Sequence, residues 1–473
     1  MPWQQMVIDS TGAVAPCCYW GAYENNNPPI GNLKTQTVDE IWNGEGYQAL
    51  RKGMASGDLK AAGCAKCHAL RQGNALGFEQ DPDSEGDFTT PYAKNLRVLR
   101  QEIAEGAAVL EAKPTIVSYT PSHRCNIRCT HCYQESTRTV EVDRAEADEE
   151  IRRLAPYLVR LVAGGGEPFL LTTWKKFLSE FDLSENPYLT FSTSTNATIV
   201  SDAVVNQLEQ FKNLTLNISM DGVGKTYERV RVGAKFDQVA ANVRRLQGLV
   251  KRAPSGLGYL GVSMCVMKSN IRGLADFIGY ANEERLPFGI SPVTSMPPSE
   301  NLRCFNGDPR EEMAGWKEAI DEALAELELY FPTLGYLIGS GEIPDELKQR
   351  RRLDFEMLRN VIPFELAEIP HRRITFRIPE APLEQFRQTY GSKLVAYIFK
   401  EGSPSALSDY WAPIVHGTCE VWLPEGKFFV NIAGKWAPAG FWDQLPFTVG
   451  PSGLGLVRST GLQAEFAEQV PVG

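Results

Sequence analysis

Six short, apolar, β-rich runs, each followed by a stretch of helical periodicity, constrain this chain more than any other feature. The runs lie at residues 115–120, 158–163, 189–194, 214–220, 258–267 and 288–293, and helical patterns fill 144–154, 173–180, 201–211, 236–250 and 271–284. Strands that alternate with helices in this way pair in parallel through right-handed crossovers. The alternation stops near residue 295. The pattern therefore predicts an α/β fold on an open, partial (β/α)6 TIM-like barrel, with its chemistry at the C-terminal ends of the strands.

The flanks read differently. Residues 1–72 are rich in Gly, Pro, Asn and Cys, with one helix expected near 38–52; this is a small N-terminal module. Residues 73–112 form an acidic linker and a helix at about 93–107, and the barrel occupies 113–300. Segment 301–370 is helical, with amphipathic patterns at 309–330 and 346–360. From His371 the runs ITFRI, KLVAYIF, CEVWL and KFFVNI predict a small β-rich domain to about 455, and 456–473 is a tail.

The net charge of −10 over 473 residues argues against a broad nucleic-acid footprint. No run is apolar enough to span a bilayer, and the start, MPWQQMVIDS, lacks the features of a signal peptide. These observations predict a cytoplasmic protein. There, thiols stay reduced, so clustered cysteines point to metal rather than to disulfides. Of the ten cysteines, Cys17 and Cys18 are adjacent, Cys64 and Cys67 form CX2C, and Cys125, Cys129 and Cys132 form CX3CX2C; Cys265, Cys304 and Cys419 stand alone.

The segment PSHRCNIRCTHCYQ follows the first barrel strand. Three thiolates can hold one corner of a cubane iron–sulfur cluster and leave the fourth iron open to a ligand. Spacing alone also admits a zinc site, with His123 or His131 as fourth ligand. The next strand ends in AGGGEPFLL. Successive glycines let the backbone approach a ligand closely, their N–H and C=O groups can bind it, and Glu167 adds an acceptor for an ammonium.

On these two motifs the chain resembles the radical S-adenosylmethionine (SAM) superfamily over about 114–294. The resemblance implies a [4Fe–4S] cluster on Cys125, Cys129 and Cys132, with the amino and carboxylate groups of SAM on the open iron. It places Gly165, Gly166 and Glu167 at the methionine ammonium, and His131, in a slot usually Tyr or Phe, near the adenine. In FSTSTNAT, Ser192 and Asn196 match the strand facing the ribose; Ala197 departs from the family's Thr-Asn-Gly. NISMDG puts Ser219 and Asp221 near the cofactor, and Arg231 of YERVRVG matches an arginine for the methionine carboxylate. An external flavodoxin- or ferredoxin-like electron donor is also implied.

Residues 1–67 carry PWQQMVIDSTGAVAPCCYW, PIGNLKTQTVDEIWNGEGYQALR and GCAKC. Their thiolates suffice for a cluster or a zinc ion. Their order resembles the SPASM auxiliary-cluster module, or its shorter twitch form, here ahead of the barrel instead of behind it. That resemblance implies a second, auxiliary iron–sulfur cluster on Cys18, Cys64 and Cys67, with Cys17 as the alternative to Cys18 and His68 a bystander. The module's usual cysteine before Pro-Trp has no counterpart ahead of Pro2-Trp3, which predicts a segment upstream of Met1; the alternative is a site completed by Cys17, solvent or substrate. Cys265 reads as a core residue. Cys304, Cys419, His371 and His416 carry no motif.

The implied activity is reductive cleavage of SAM to a 5′-deoxyadenosyl radical that abstracts hydrogen from a substrate the sequence does not identify, of peptide, protein or sugar type. Two other classes fit parts of the pattern: an iron–sulfur electron-transfer or binding protein without turnover, and a zinc-stapled scaffold. The glycine–Glu motif argues against both, since neither needs a SAM pocket.

Overall fold

A computed structural model describes residues 2–21, 27–65, 89–132, 134, 145–251, 258–294, 297–377, 384, 388, 394–401, 408–434, 445–450, 453–456 and 466–467. The chain forms two units interleaved along the sequence: Met1–Arg128, Gln134–Ser219 and Gly233–Gly261 make the first, and Cys129–Tyr133, Met220–Val232 and Val262–Gly473 the second.

In the first unit the strands are β1 (Gln5–Ile8), β2 (Ala13–Ala15), β3 (Gly31–Asn32), β4 (Ile116–Tyr119), β5 (Arg160–Ala163), β6 (Thr190–Thr195) and β7 (Asn213–Ser219). β4 to β7 lie side by side in chain order, all parallel, and are the first four expected barrel strands. β1 adds a fifth parallel strand beside β4, and β2 and β3 continue antiparallel from it. The sequence reading assigned this segment to the cysteine module. Its iBiB burial pattern matches that of β4 and β5, which suits it to the same sheet.

One face of this sheet is apolar: Val117, Tyr119, Leu161, Phe191, Leu216 and Ile218 are buried. From the helix Thr172–Ser179, Trp174 packs edge-on and Phe177 at a tilt against Tyr119, and Trp174 also meets Phe191. Aromatic pairs of this geometry add to the burial of their large surfaces. The opposite face is largely polar, with Ser118, Val162, Ser192 and Thr215 in one register row and Ile116 beside Arg160 in another.

The N-terminal helix expected at 38–52 is two helices, Val38–Trp42 and Glu45–Ala55. A capping box of Thr37 and Glu40 starts the first. The break at Asn43 is tertiary: its side-chain oxygen accepts from Leu110 N–H and its amide donates to Leu110 O. The helix Pro91–Glu105 begins with a Thr90 cap and Pro at its first position and ends on left-handed Gly106.

In the second unit, β8 (Tyr259–Val266) contributes Val262–Val266, which pairs in parallel with β9 (Phe288–Pro292), completing the six expected strands. The fold class is thus mixed α/β with a largely parallel sheet. The helix expected at 309–330 is split. A short turn, Pro309–Glu312, precedes Gly315 at φ +76°, and a long helix runs Trp316–Leu337 through Pro332. The helix Asp345–Val361 forms as read. The C-terminal strands form two antiparallel sheets. One pairs Arg372–Arg377 with Thr418–Leu423 and Phe466–Ala467; the other is built around Leu394–Lys400 and Gly426–Gly434. Among the described residues no helix is long and apolar enough to cross a membrane.

Candidate functional site

Three segments of the first unit meet past the C-terminal ends of β4, β5 and β6. Pairing continues beyond the strands: Gly164 N–H donates to Tyr119 O (2.8 Å), Gly166 N–H to Ser122 O (3.1 Å) and Glu167 N–H to Arg124 O (3.0 Å). A Cβ on Gly165, whose φ is +117°, would lie 2.2 Å from Ser122 O, and one on Gly166 2.1 Å from Arg124 O. The glycine run therefore lets the segment leading to Cys125 lie directly on it. Of the N–H groups that the sequence reading offered to a ligand, that of Gly166 is here donated to that segment and that of Gly164 to the end of β4.

Glu167 is fully buried. Its Oε1 accepts from Thr195 Oγ1 (2.6 Å) and Phe169 N–H (3.1 Å), and its Oε2 from Asn196 N–H (2.8 Å). It ties the glycine run to the end of β6. Asn196 in turn is held at both ends. Its Oδ1 accepts from Thr198 N–H and Oγ1, while its Nδ2 donates to Asn126 Oδ1 (3.1 Å) and toward Cys125 Sγ (3.8 Å). Ala197 has φ +52°, the left-handed conformation that a glycine adopts without strain. Ser192 is 6% exposed, and its Oγ lacks a hydrogen-bond partner among the described residues. Ser219 ends β7, half-buried.

The second unit holds Cys129, His131, Cys132, Asp221, Arg231 and Cys265. Thr130 N–H donates to Val230 O and Cys132 N–H to Cys129 O, which folds the cysteine loop beside the end of the helix Gly224–Val230. Arg231 donates from one terminal nitrogen to Asp221 Oδ2 (2.6 Å) and from the other toward Cys129 Sγ (3.6 Å). Burial opposes its charge, but Asp221 and Cys129 outweigh burial and raise its pKa. His131 Nε2 lies 3.5 Å from Asp221 Oδ2, and its buried Nδ1 has no hydrogen-bond partner among the described residues. Burial lowers the His131 pKa against the pull of Asp221. Cys265 is not the core residue expected. It is half-buried, its N–H donates to Asp221 Oδ1, and burial pushes its thiol up to about 12. The reason is register: Cys265 falls on the more exposed, polar side of β8, while Met264 and Val266 take the buried side.

In the N-terminal region Cys17 is half-buried, Cys18 exposed and Cys64 half-buried. Trp20, in the turn just after Cys18, donates to Pro28 O, and its ring packs over Gly63; Asn27 Nδ2 donates to Gly63 O. These contacts bring the Cys17–Cys18 turn to the segment bearing Cys64. Cys67 and His68 lie outside the described residues, as does the linker 73–88. Cys304 and Cys419 are buried, Cys304 beside Ser408, and His371 is held by Ile369 O and Tyr410.

Sequence reasoning missed Asn126, Thr195 and Thr198 as parts of these networks, while Asn270 ends VMKSN, a segment that resembles the family's strand-end near the adenine. The run FSTSTNAT carried the signal for two of them: consecutive short polar side chains at a strand end bond to local backbone and to neighbours.

Comparisons with known proteins agree on the class. A family model described as the radical SAM superfamily matches residues 119–264, and one described as an iron–sulfur cluster-binding domain, SPASM, matches residues 1–68. The chain thus carries a radical SAM domain over residues 119–264, with a SPASM module over residues 1–68 ahead of it. The first domain implies a [4Fe–4S] cluster with SAM, and the second implies further iron–sulfur clusters. Among curated relatives, Fe-coproporphyrin III synthase of Methanosarcina barkeri is 26% identical over 183 residues, 37% of this chain and 43% of the relative. Pre-heme d1 synthase of Dinoroseobacter shibae is 29% identical over 141 residues, 28% and 33% respectively. The chain thus spans less than half the length of either. Solved structures include Streptococcus suis SuiB bound to precursor peptide SuiA, at 15% identity, 59% of each chain and TM-score 0.36. Another is anSMEcpe with bound AdoMet and the Cp18Cys peptide, at 16% identity, 48% of this chain, 61% of that one and TM-score 0.34.

Proposed function

We propose that this protein is a radical SAM enzyme whose Cys125, Cys129 and Cys132 hold the [4Fe–4S] cluster, and whose Cys64 and Cys67, with Cys18 or Cys17, hold an auxiliary cluster. When bound, the cluster and SAM supply one-electron reductive cleavage, yielding methionine and a 5′-deoxyadenosyl radical for hydrogen abstraction. One observation carries the reading. The glycine run backs the segment leading to Cys125, and Asn196, held in place by Glu167, directs a side-chain amide toward the Cys125 sulfur. A thiol of structural importance alone needs no such donor; a thiolate ligand is stabilised by one.

The remaining roles follow from chemistry and burial. The orphaned Nδ1 of His131 and Oγ of Ser192 are polar atoms for SAM to satisfy. Glu167 acts by fixing Asn196 and the glycine run in place. The electron comes from a reduced flavodoxin- or ferredoxin-like protein. The curated relatives are named for porphyrin and heme d1 synthesis, and the solved structures hold peptides. The test is anaerobic reconstitution with iron and sulfide, reduction by dithionite and addition of SAM. An electron paramagnetic resonance signal that changes with SAM, together with 5′-deoxyadenosine, is the expected result. Protein that binds iron but forms neither sinks the proposal and favours a carrier without turnover.

A further inference from the structure

Asp221 stands two residues past β7 with φ +59°, a left-handed conformation uncommon outside glycine that Asp adopts more readily than most residues. Its neighbours hold it there. Asn270 Nδ2 donates to Asp221 O (3.0 Å) and to Cys265 O (2.8 Å), and Cys265 N–H donates to Asp221 Oδ1 (2.7 Å). The carboxylate is thereby fixed with Oδ2 against Arg231 (2.6 Å), and the far nitrogen of the same guanidinium lies 3.6 Å from Cys129 Sγ. Asp221 is 1% exposed and Arg231 6%.

We propose that Asp221 is a positioning residue that aims Arg231 at the Cys129 sulfur, and that this bond makes the cluster ligated there easier to reduce. The proposal rests on reading Cys129 as a cluster ligand. Reduction of a [4Fe–4S] cluster adds one electron, here from dithionite, and the added charge spreads onto the ligand sulfurs. Hydrogen bonds to sulfur and exclusion of solvent are the protein's levers on such potentials. The Asp221–Arg231 pair is neutral overall, but it is oriented, with its positive end at the sulfur and its negative end behind. In a buried site that orientation is weakly screened. The planar fork of Arg bridges two acceptors at once, which an ammonium cannot do in the same geometry. Sequence resemblance gave Arg231 to the SAM carboxylate instead, a role that does not act when SAM is absent.

The test is a potential titration of full-length reconstituted protein without SAM, followed by electron paramagnetic resonance. The component that changes when SAM is added afterwards identifies the radical cluster. The variant D221N/R231Q removes both charges together and avoids stranding a buried carboxylate. Its midpoint is expected to fall below wild type at equal iron content; an unchanged midpoint overturns the proposal. R231K is the second variant should the first fail to fold. It keeps the charge opposite Asp221 but lacks the second nitrogen, so its midpoint also falls, and an unchanged value overturns the proposal. For Asp221, the drop caused by R231Q should shrink in a D221N background; an equal drop removes its positioning role. Absence of any SAM-responsive signal in wild type counts against the underlying cluster reading instead.

Discussion

Cys125 and Cys129 each face a side-chain nitrogen from far along the chain: Asn196, 71 residues on, and Arg231, 102 residues on. Cys64 instead points its thiol at Ala62 O, two residues away, while its N–H donates to Leu59 O. The two cysteine regions thus differ in what conditions their sulfurs. Around the CX3CX2C loop, strand-end residues from separate parts of the chain do it. In the N-terminal region Trp20 and Asn27 join the turns that carry the cysteines. A site conditioned by distant partners has its geometry set by the whole fold, whereas one made of turns is held by a few contacts.

The largest expected effect is that of replacing Cys125, Cys129 and Cys132 together by Ala. This should remove about four irons per chain, the content of one cubane, and abolish 5′-deoxyadenosine formation; product from the triple variant would break the comparison at its root. Replacing Cys17, Cys18 and Cys64 by Ala should remove the auxiliary iron while leaving the SAM-responsive signal in place. Loss of both signals together would show that the two regions are not independent.

Next comes Arg51, fully buried, which donates to Pro2 O and Ala108 O and lies over the rings of Trp42 and Tyr47. Arg51→Met strands these carbonyls and should destabilise the protein by about 3 kcal/mol, read by denaturant unfolding. A change below about 0.5 kcal/mol would mean that Arg51 does not anchor the N-terminal region. Glu167→Ala releases Asn196 from its place beside Cys125 and should weaken SAM binding about ten- to a hundred-fold, the equivalent of roughly 1.5–3 kcal/mol, with a perturbed cluster spectrum at unchanged iron content. Unchanged affinity in an equilibrium titration would reduce Glu167 to a turn residue. The smallest effect is that of Ala197→Gly. Relief of the left-handed conformation should stabilise the fold by about 0.5–1 kcal/mol, and destabilisation would show that the buried methyl outweighs the strain.

Much of this was legible beforehand. All six barrel strands form within two residues of where alternation put them, because period-2 patterning is a local property of the chain. CX3CX2C and the glycine run were legible for the same reason: each is a few consecutive residues whose chemistry depends on spacing. β1 was not legible as a sheet strand, since four residues of weak alternation do not say which neighbour they will pair with. Ala197 showed as a departure from a motif, but only its φ of +52° explains why glycine is usual there.

The sequence by itself determined the thiolates, the glycines that permit close approach, and the parallel strand order that follows from alternating elements. Tertiary structure decided which donor meets which sulfur, that the Gly166 N–H serves the cysteine segment, and that Asp221 and Arg231 form a buried oriented pair. The physical reason is range. Spacing and periodicity act over a few residues, whereas a hydrogen bond between residues 71 or 102 positions apart exists only once the strands carrying them have packed.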